Sequence, residues 1–366
     1  MQKGYKVRLY PTKEQQQQLN KTFGCARFVY NHFLAERQRA YKEDNVALSY
    51  NDTAHMLVEM KRDPSYSWLN EVDSMALQES LRNLDRAFQN FFQKKAKYPR
   101  FHSKKNDQSY RTRNQCGGIR IIDNKVRIPV VGFVKCKGLR SFEGRILNAS
   151  VSLDSTGAYY LSLCVECEDV VLSNAGGMIG IDVGIKSFYT DSNGNEVFGP
   201  QSYKKHENKL KRAQRKLSRA KKGSKNRDKQ RKKLARCHKK VADIRKDFLH
   251  KTSAALANEN QVVCAEHLNV KNMLGNHRLA KQISDQGWSS FYTMLNYKVK
   301  EHGGTLIKVP TFYPSSQTCS CCGYQNTDIK NLNIRNWVCP NCGSQHNRDH
   351  NAAINILNKG LEMLSS

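Results

Sequence analysis

Two Cys-x-x-Cys pairs in this 366-residue chain constrain its fold more than any other feature. Cys319 and Cys322 form the first pair, and Cys339 and Cys342 the second. Paired thiols at this separation point to one Zn²⁺ held by four sulfur ligands. Glycine follows each pair, at Gly323 and Gly343, as suits a tight metal-binding turn that needs positive φ. That placement selects Cys322 over its neighbour Cys321 as the ligand. Four thiolates fill a tetrahedron, so the ion is expected to be structural.

The remaining cysteines read differently. Met1 is not followed by an apolar stretch of the kind a signal peptide carries, so the 12 cysteines are expected as thiols or metal ligands. Cys164 and Cys167 share the spacing but lie in a period-two run, which sends them to opposite faces of a strand. Cys25, Cys116, Cys136, Cys237 and Cys264 stand alone and read as core residues. No run approaches the ~18 apolar residues needed to span a bilayer. The expectation is a cytoplasmic protein with no membrane partner.

Ahead of the cysteine segment the hydrophobic period switches repeatedly. Residues 1–10 alternate as a strand, with Val7 and Leu9 on one face, and Pro11 ends it. From about Thr12 to Tyr98 the pattern is helical. Leu77, Leu81, Leu84, Phe88 and Phe91 form one helix face, with Ser74 as the expected cap. From about Ser109 to Val171 the period is two, and 119–122, 125–128 and 159–165 read as strands. The N-terminal strand is expected to join this β-domain, with the helices as an insertion. Met178 to Gly184, 186–190 and 196–198 read as an antiparallel meander, and 261–265 and 305–309 as buried strands. A short last helix is expected from about Asn351.

Lys and Arg total 61 against 32 Asp and Glu, a net charge of +29. A charge of this size speaks to partners, with nucleic acid the default. Residues 203–240 hold 19 Lys or Arg and only two acids, Glu207 and Asp228. Thin apolar stripes (Leu210, Ala213, Leu217, Ala220, then Leu234, Val241, Phe248) flank a turn at 221–226. This reads as a helical hairpin, over about 203–250, with a narrow seam and a basic exterior. A solvated helix usually mixes its charges; here nearly all are of one sign, which favours a polyanion contact. Lys211, Arg212, Arg215, Lys232 and Lys233 are candidate phosphate contacts. Gln78 and Arg82, one turn apart and off the apolar face, are candidates for bases or phosphates, though solvent-exposed positions explain them equally well.

Three acids stand at the edges of apolar elements. Asp182 interrupts an apolar strand between Gly180 and Gly184, where the missing side chains permit close approach of a ligand or another backbone. Glu266 ends a second apolar strand. Asp349 precedes the last helix. A turn, a surface position and an N-cap would explain the three separately. Together they suit hard divalent cations, best Mg²⁺, since carboxylates repel unless cations offset them.

The motifs resemble those of the TnpB family of insertion-sequence proteins. Gly180-Ile181-Asp182-Val183-Gly184-Ile185-Lys186-Ser187-Phe188 is similar to the first RuvC motif of that family, and Glu266-His267-Leu268-Asn269-Val270-Lys271 to the second. The segments 315–323, 335–343 and 346–357 are similar to its zinc ribbon running into the third motif. Arg8-Leu9-Tyr10-Pro11-Thr12, residues 24–31 and Tyr98-Pro99-Arg100-Phe101 resemble its N-terminal part. His267 and Asn347 depart from it, since acids are common at both positions.

The resemblance implies an α/β multidomain protein. Its RNase H-like RuvC nuclease domain would comprise 176–312 and 346–366, with an inserted zinc ribbon at 313–345. A wedge-type β-barrel (1–11 and 105–175) would be split by a helical recognition domain (12–104). The implied activity is guide-RNA-dependent cleavage of double-stranded DNA beside a short flanking motif. Asp182, Glu266 and Asp349 would hold two Mg²⁺, and the guide would come from the transposon's own end. The expected setting is the nucleoid of a bacterial or archaeal cell, with a monomer favoured. The alternatives are an RNA-guided repressor, which should lack part of the acid triad, and a DNA-binding accessory factor of transposition.

Overall fold

Alternation of inward and outward side chains explains the first element of the computed structural model, β1 (Gln2–Tyr10), which buries Val7 and Leu9. All residues are described except 106, 107, 139–142, 170, 332 and 366. The chain divides into two compact units, Met1–Asp169 and Val170–Ser366.

In the first unit, Pro11 ends β1 and Thr12 starts α1 (Lys13–Asp44) through a capping box with Gln15. Helix α2 (Tyr50–Arg62) begins with a second box, Ser49 with Asp52. Helix α3 (Ser74–Phe92) buries Leu77, Leu81 and Leu84 against Val29, Phe33 and Leu34 of α1. Its cap is Asp73, not Ser74: the Asp73 carboxylate accepts from the Met75 N–H at 3.0 Å, and Ser74 is the first helical residue. A carboxylate at the cap also meets the positive end of the helix dipole.

The helices are an excursion between β1 and a run of strands: β2 (Gln108–Arg113), β3 (Arg120–Ile122), β4 (Lys125–Ile128), β5 (Gly132–Lys137), β6 (Arg145–Leu153) and β7 (Tyr159–Glu166). They form one antiparallel sheet in the order β2-β6-β7-β1-β5-β4-β3. β1 therefore sits centrally, in register with β7 from Gln2↔Glu166 to Leu9↔Tyr159. Val7, Val126, Val134, Val151 and Leu161 come from separate strands yet share one core, so the sheet curls onto its own inner face. Among the described residues the edge strands β2 and β3 do not pair with each other, so the sheet is curled and open between them.

The second unit opens with the meander β8 (Gly177–Val183), β9 (Tyr189–Asp191) and β10 (Glu196–Val197). Helices α4 (Ser202–Arg219) and α5 (Lys225–Glu259) form the basic hairpin, with Leu210 and Val241 buried in its seam. Arg227 closes the turn by donating to the carbonyls of Leu217 and Ala220, both at 2.9 Å. After β11 (Asn260–Glu266) come α6 (Val270–Met273), α7 (Ala280–Gln286), α8 (Trp288–Glu301) and β12 (Thr305–Val309). The cysteine segment contributes β13 (Asn336–Val338) and β14 (Gln345–Asn347), and α9 (Arg348–Ser365) follows.

The sheet order is β10-β9-β8-β11-β12. β8, β11 and β12 run parallel, and β9 and β10 complete an antiparallel edge. Ile179, Ile181, Val263 and Ala265 face α5 and α8, packing on Leu256, Phe291 and Leu295. The opposite face carries α9, whose Ile356 packs with Val262 and Cys264.

Cys25, Cys136 and Cys264 are buried as expected. Cys116 is exposed in a turn with φ of 48°, and Cys237 lies half-buried on α5. The core reading fails for these two, because residue type carries no information on which face of an element a cysteine occupies. Residues 171–175 bond within the second unit, Leu172 to Glu301 and Ala175 to Asn258.

Candidate functional site

Parallel pairing brings the first two acids together. Ile181 is in register with Ala265, so Asp182 and Glu266 stand side by side where β8 and β11 end. The third acid arrives on α9, and two glycines let that helix lie directly on the sheet. A Cβ on Gly180 would stand 2.2 Å from the Ala353 carbonyl oxygen, and one on Gly360 would stand 2.2 Å from Cys264 Sγ. The close approach expected at Gly180 is thus made by a helix backbone.

Helix α9 starts at Arg348, earlier than expected, so Asp349 lies in its first turn. The N-cap reading for Asp349 falls: Asn347 Oδ1 accepts from the N–H groups of Asp349 and His350, both at 3.1 Å. The Asp349 carboxylate is therefore free of capping duty.

Burial pushes the Asp182 carboxyl up to about 8, and the charges of Glu266 and Asp349 add to the rise. Arg348 and Arg335 oppose it. Asp182 lies deep in protein mass while part of its surface still opens to solvent. Burial raises Glu266 as well. Among the described residues, the three acids do not bring an oxygen each within 4.8 Å of one another. One ion held by all three is not what this spacing suits.

Arg335 was not picked out by sequence reasoning. Its Nη1 donates to both Asp349 oxygens at 3.2 Å. Its carbonyl accepts from the Arg348 N–H at 2.7 Å, which ties the cysteine segment to the start of α9. A lone arginine between cysteines offers no spacing signal, so only the backbone path reveals it.

The four expected cysteines cluster, with their sulfur atoms all within 4.8 Å of one another. Cys319 and Cys342 are 3.7 Å apart, and Cys322 and Cys339 are 3.6 Å apart. A tetrahedral ion with Zn–S bonds of about 2.3 Å needs sulfur separations of roughly 3.8 Å, so zinc fits the cluster. Gly323 and Gly343 adopt φ of 76° and 73°, as the turns demand. Each donates its N–H to the first cysteine carbonyl of its pair at 2.9 Å. The Ser344 hydroxyl and N–H pull the Cys342 thiol down to about 6, which prepares a thiolate. Asn351 and Asn355 of α9 donate to the Thr318 carbonyl at 2.7 and 2.6 Å, fastening the first knuckle to the helix that carries Asp349.

Lys211, Arg212, Arg215, Lys232 and Lys233 all lie on the exposed face of the hairpin. Lys211 pairs with Glu207 at 2.9 Å. In the first unit, Gln78 and Arg82 are half-buried. Arg82 stacks over Tyr50 at 4.7 Å and pairs with Glu79 at 3.5 Å. The buried Glu79 also holds Arg113 at 2.6 Å and Arg111 at 3.8 Å. Beside this cluster a cleft of about 520 Å³ is lined by Arg27, Ser80, Asn83, His102, Tyr110 and Arg111. Tyr110 Oη and Arg111 Nε are buried there without hydrogen-bond partners. Sequence reasoning missed this cleft; the alternation Arg111-Thr112-Arg113 on β2 was its only trace.

Two acids at adjoining strand ends, a third in the first turn of a helix and a four-thiol cluster mark the site of this α/β protein. Residues 162–277 match a family model described as "Probable transposase", and 288–356 one described as "Cas12f1-like, TNB domain". Residues 1–45 match a model described as "Helix-turn-helix domain", although here they form β1 and the single helix α1. A protein of Streptomyces pristinaespiralis named "Putative RNA-guided DNA endonuclease" is 38% identical over 99% of this chain and 90% of its own length. InsQ of Escherichia coli K12, which carries the same name, is 33% identical over 99% of this chain and 93% of its own. The chain belongs to the TnpB family. The fold is also similar to that of Cas12f1, solved with its guide RNA and target DNA, at a TM-score of 0.61 and 15% identity over 98% of this chain and 99% of that one.

Proposed function

We propose that this protein is an RNA-guided DNA endonuclease encoded by a transposon. The observation that carries the reading is the intact acid set in a TnpB-family chain: Asp182 and Glu266 at the ends of β8 and β11, and Asp349 near enough on α9 to act on Asp182. The strand order and directions of the second sheet suit an RNase H-like core. In this reading 176–312 and 346–366 form the RuvC-like domain and 313–345 the ribbon. Residues 1–11 and 105–169 form the wedge, shorter than the expected 105–175 because 171–175 bond within the second unit, and 12–104 recognise nucleic acid.

Asp182 would ligate two Mg²⁺, with Glu266 and Asp349 each holding one. Bound there, the ions would activate water and stabilise the leaving oxygen. Products would then carry 5′-phosphate and 3′-hydroxyl ends. Arg335 offsets the negative charge on Asp349 and keeps that carboxylate turned toward the ribbon side until the site is loaded. Cys319, Cys322, Cys339 and Cys342 would hold one structural Zn²⁺. Base pairing with the guide supplies sequence specificity, as in the related class of RNA-guided effectors. The hairpin residues Lys211, Arg212, Arg215, Lys232 and Lys233 track the guide or heteroduplex backbone. Gln78, Arg82 and the cleft beside Glu79 serve the flanking motif. Among the described residues no helix is long and apolar enough to cross a membrane, and the proposed setting is the cytoplasm, as a monomer.

The test is co-expression with the native downstream DNA, followed by sequencing of the RNA that copurifies and a cleavage assay with that guide. One discrete RNA species and target cutting are expected. Asp182→Ala should abolish cutting and leave RNA binding intact; cutting by that variant would falsify the assignment.

A further inference from the structure

A cleft of about 380 Å³ continues from Glu266 between the end of β11, β12 and α8. Its walls include Ser289, Tyr292, Thr293, Asn296 and Lys308. Tyr292 is only 7% exposed, and its hydroxyl is buried without a hydrogen-bond partner. A buried donor left unmade is costly, so such groups mark a missing acceptor. Burial, together with the charges of Glu266 and Asp182, pushes this hydroxyl far above the ordinary tyrosine range, so it remains a donor. The neighbouring Thr293 hydroxyl is already committed to the Ser289 carbonyl at 2.8 Å. Lys308 is exposed, and its ammonium lies 5.7 Å from the centre of the Tyr292 ring. The register of β12 sets Lys308 opposite Ala265, one residue before Glu266.

An unpartnered donor and a cation thus share one cleft with Glu266, on the face of the sheet that packs against α8. Acids with bound cations address the phosphate that is cut. A neutral donor with a lysine, one step aside, suits a phosphate that is held and not cut. We propose that this cleft seats the phosphodiester adjacent to the scissile one, with the Tyr292 hydroxyl donating to a non-bridging oxygen and Lys308 balancing its charge. The inference rests on the nuclease reading and adds to it a substrate-positioning pair outside the three acids. Tyr292 holds the strand in register with the acids and takes no part in bond breaking.

The experiment uses the complete guide-RNA complex under single-turnover conditions. Once the cut is mapped, DNA strands are made with a single methylphosphonate at each phosphate flanking it. Wild type should be slowed by the substitution at one of these positions. Tyr292→Phe should cut ordinary DNA about tenfold more slowly, the scale of one hydrogen bond. On the methylphosphonate strand, Tyr292→Phe should show no further loss, because the two changes remove the same interaction. This non-additivity is a readout that a merely structural tyrosine would not give. Tyr292→Phe removes a buried hydroxyl that has no partner in the free protein, so melting should hold or rise and not fall. Full-speed cutting by Tyr292→Phe, or multiplicative losses at both flanking phosphates, would overturn the inference while Asp182→Ala remains inactive. Cutting by Asp182→Ala would instead bring down the nuclease reading, and this inference with it.

Discussion

Asp182 stands at a conflict between stability and use. In an unfolded chain its carboxyl would titrate at about 3.9, whereas burial and two neighbouring acids raise it to about 8 in the fold. The folded state therefore keeps a proton that the unfolded state has lost. Stability from this group falls as pH rises from about 4 and levels off once the folded group ionises near 8. Asp182→Asn removes that penalty. In magnesium-free buffer its melting temperature should exceed that of wild type, by a margin that widens between pH 5.5 and pH 8.5. Parallel melting curves across that range would show that the carboxylate is not strained. Magnesium should close the gap by stabilising wild type alone. A residue whose removal stabilises the empty fold is one retained for what it binds.

At the scale of elements, the packing of α9 on β8 decides whether three acids meet. Gly180→Ala would force a methyl group into the Ala353 carbonyl. Overpacking of this kind costs about 1–3 kcal/mol. It should lower melting temperature and cutting together, while zinc content and RNA binding persist; wild-type cutting by this variant would show that α9 does not need the glycine to bring Asp349 into place. The ribbon is tested separately. Metal analysis should find one zinc per chain, Cys342→Ser should lower folded yield, and Cys321→Ser should leave zinc unchanged. Loss of zinc from the Cys321 variant would reassign the ligand set. Much of this was legible in the sequence because its signals are local: β12 runs over Thr305–Val309 as its β-branched and apolar residues suggest, and the glycines after the cysteine pairs take the left-handed turn. What escaped depends on interactions between distant segments. The carbonyl of Arg335 is placed by Arg348 across the ribbon, the cap of α9 is an asparagine where an acid drew attention, and the exposure of Cys116 follows from a turn that one residue type cannot announce. That the sheet curls depends likewise on which strands pair, and the alternation within each strand does not carry that.

At the scale of the molecule, charge is the leading property. With 19 Lys or Arg in 203–240, RNA affinity should fall steeply with salt. Replacing Arg212, Arg215, Lys232 and Lys233 with serine should reduce the slope of log affinity against log salt by about 0.7 for each single-strand phosphate no longer neutralised. An unchanged slope would place the RNA on another surface. Each unit keeps its own core, one inside the curled sheet and one around the five-stranded sheet. The central place of β1 has a further consequence. β1 meets β7 only after the whole helical block has been bridged, so that block acts on the sheet as one long closed loop. The entropy of closing a loop grows only logarithmically with its length, by roughly 0.6 kcal/mol for each doubling. The connections within that block could therefore lengthen or shorten at small entropic cost to the sheet, while α1 and α3, which lend Leu19, Phe23, Ala26 and Ala76 to its core, have to stay in place.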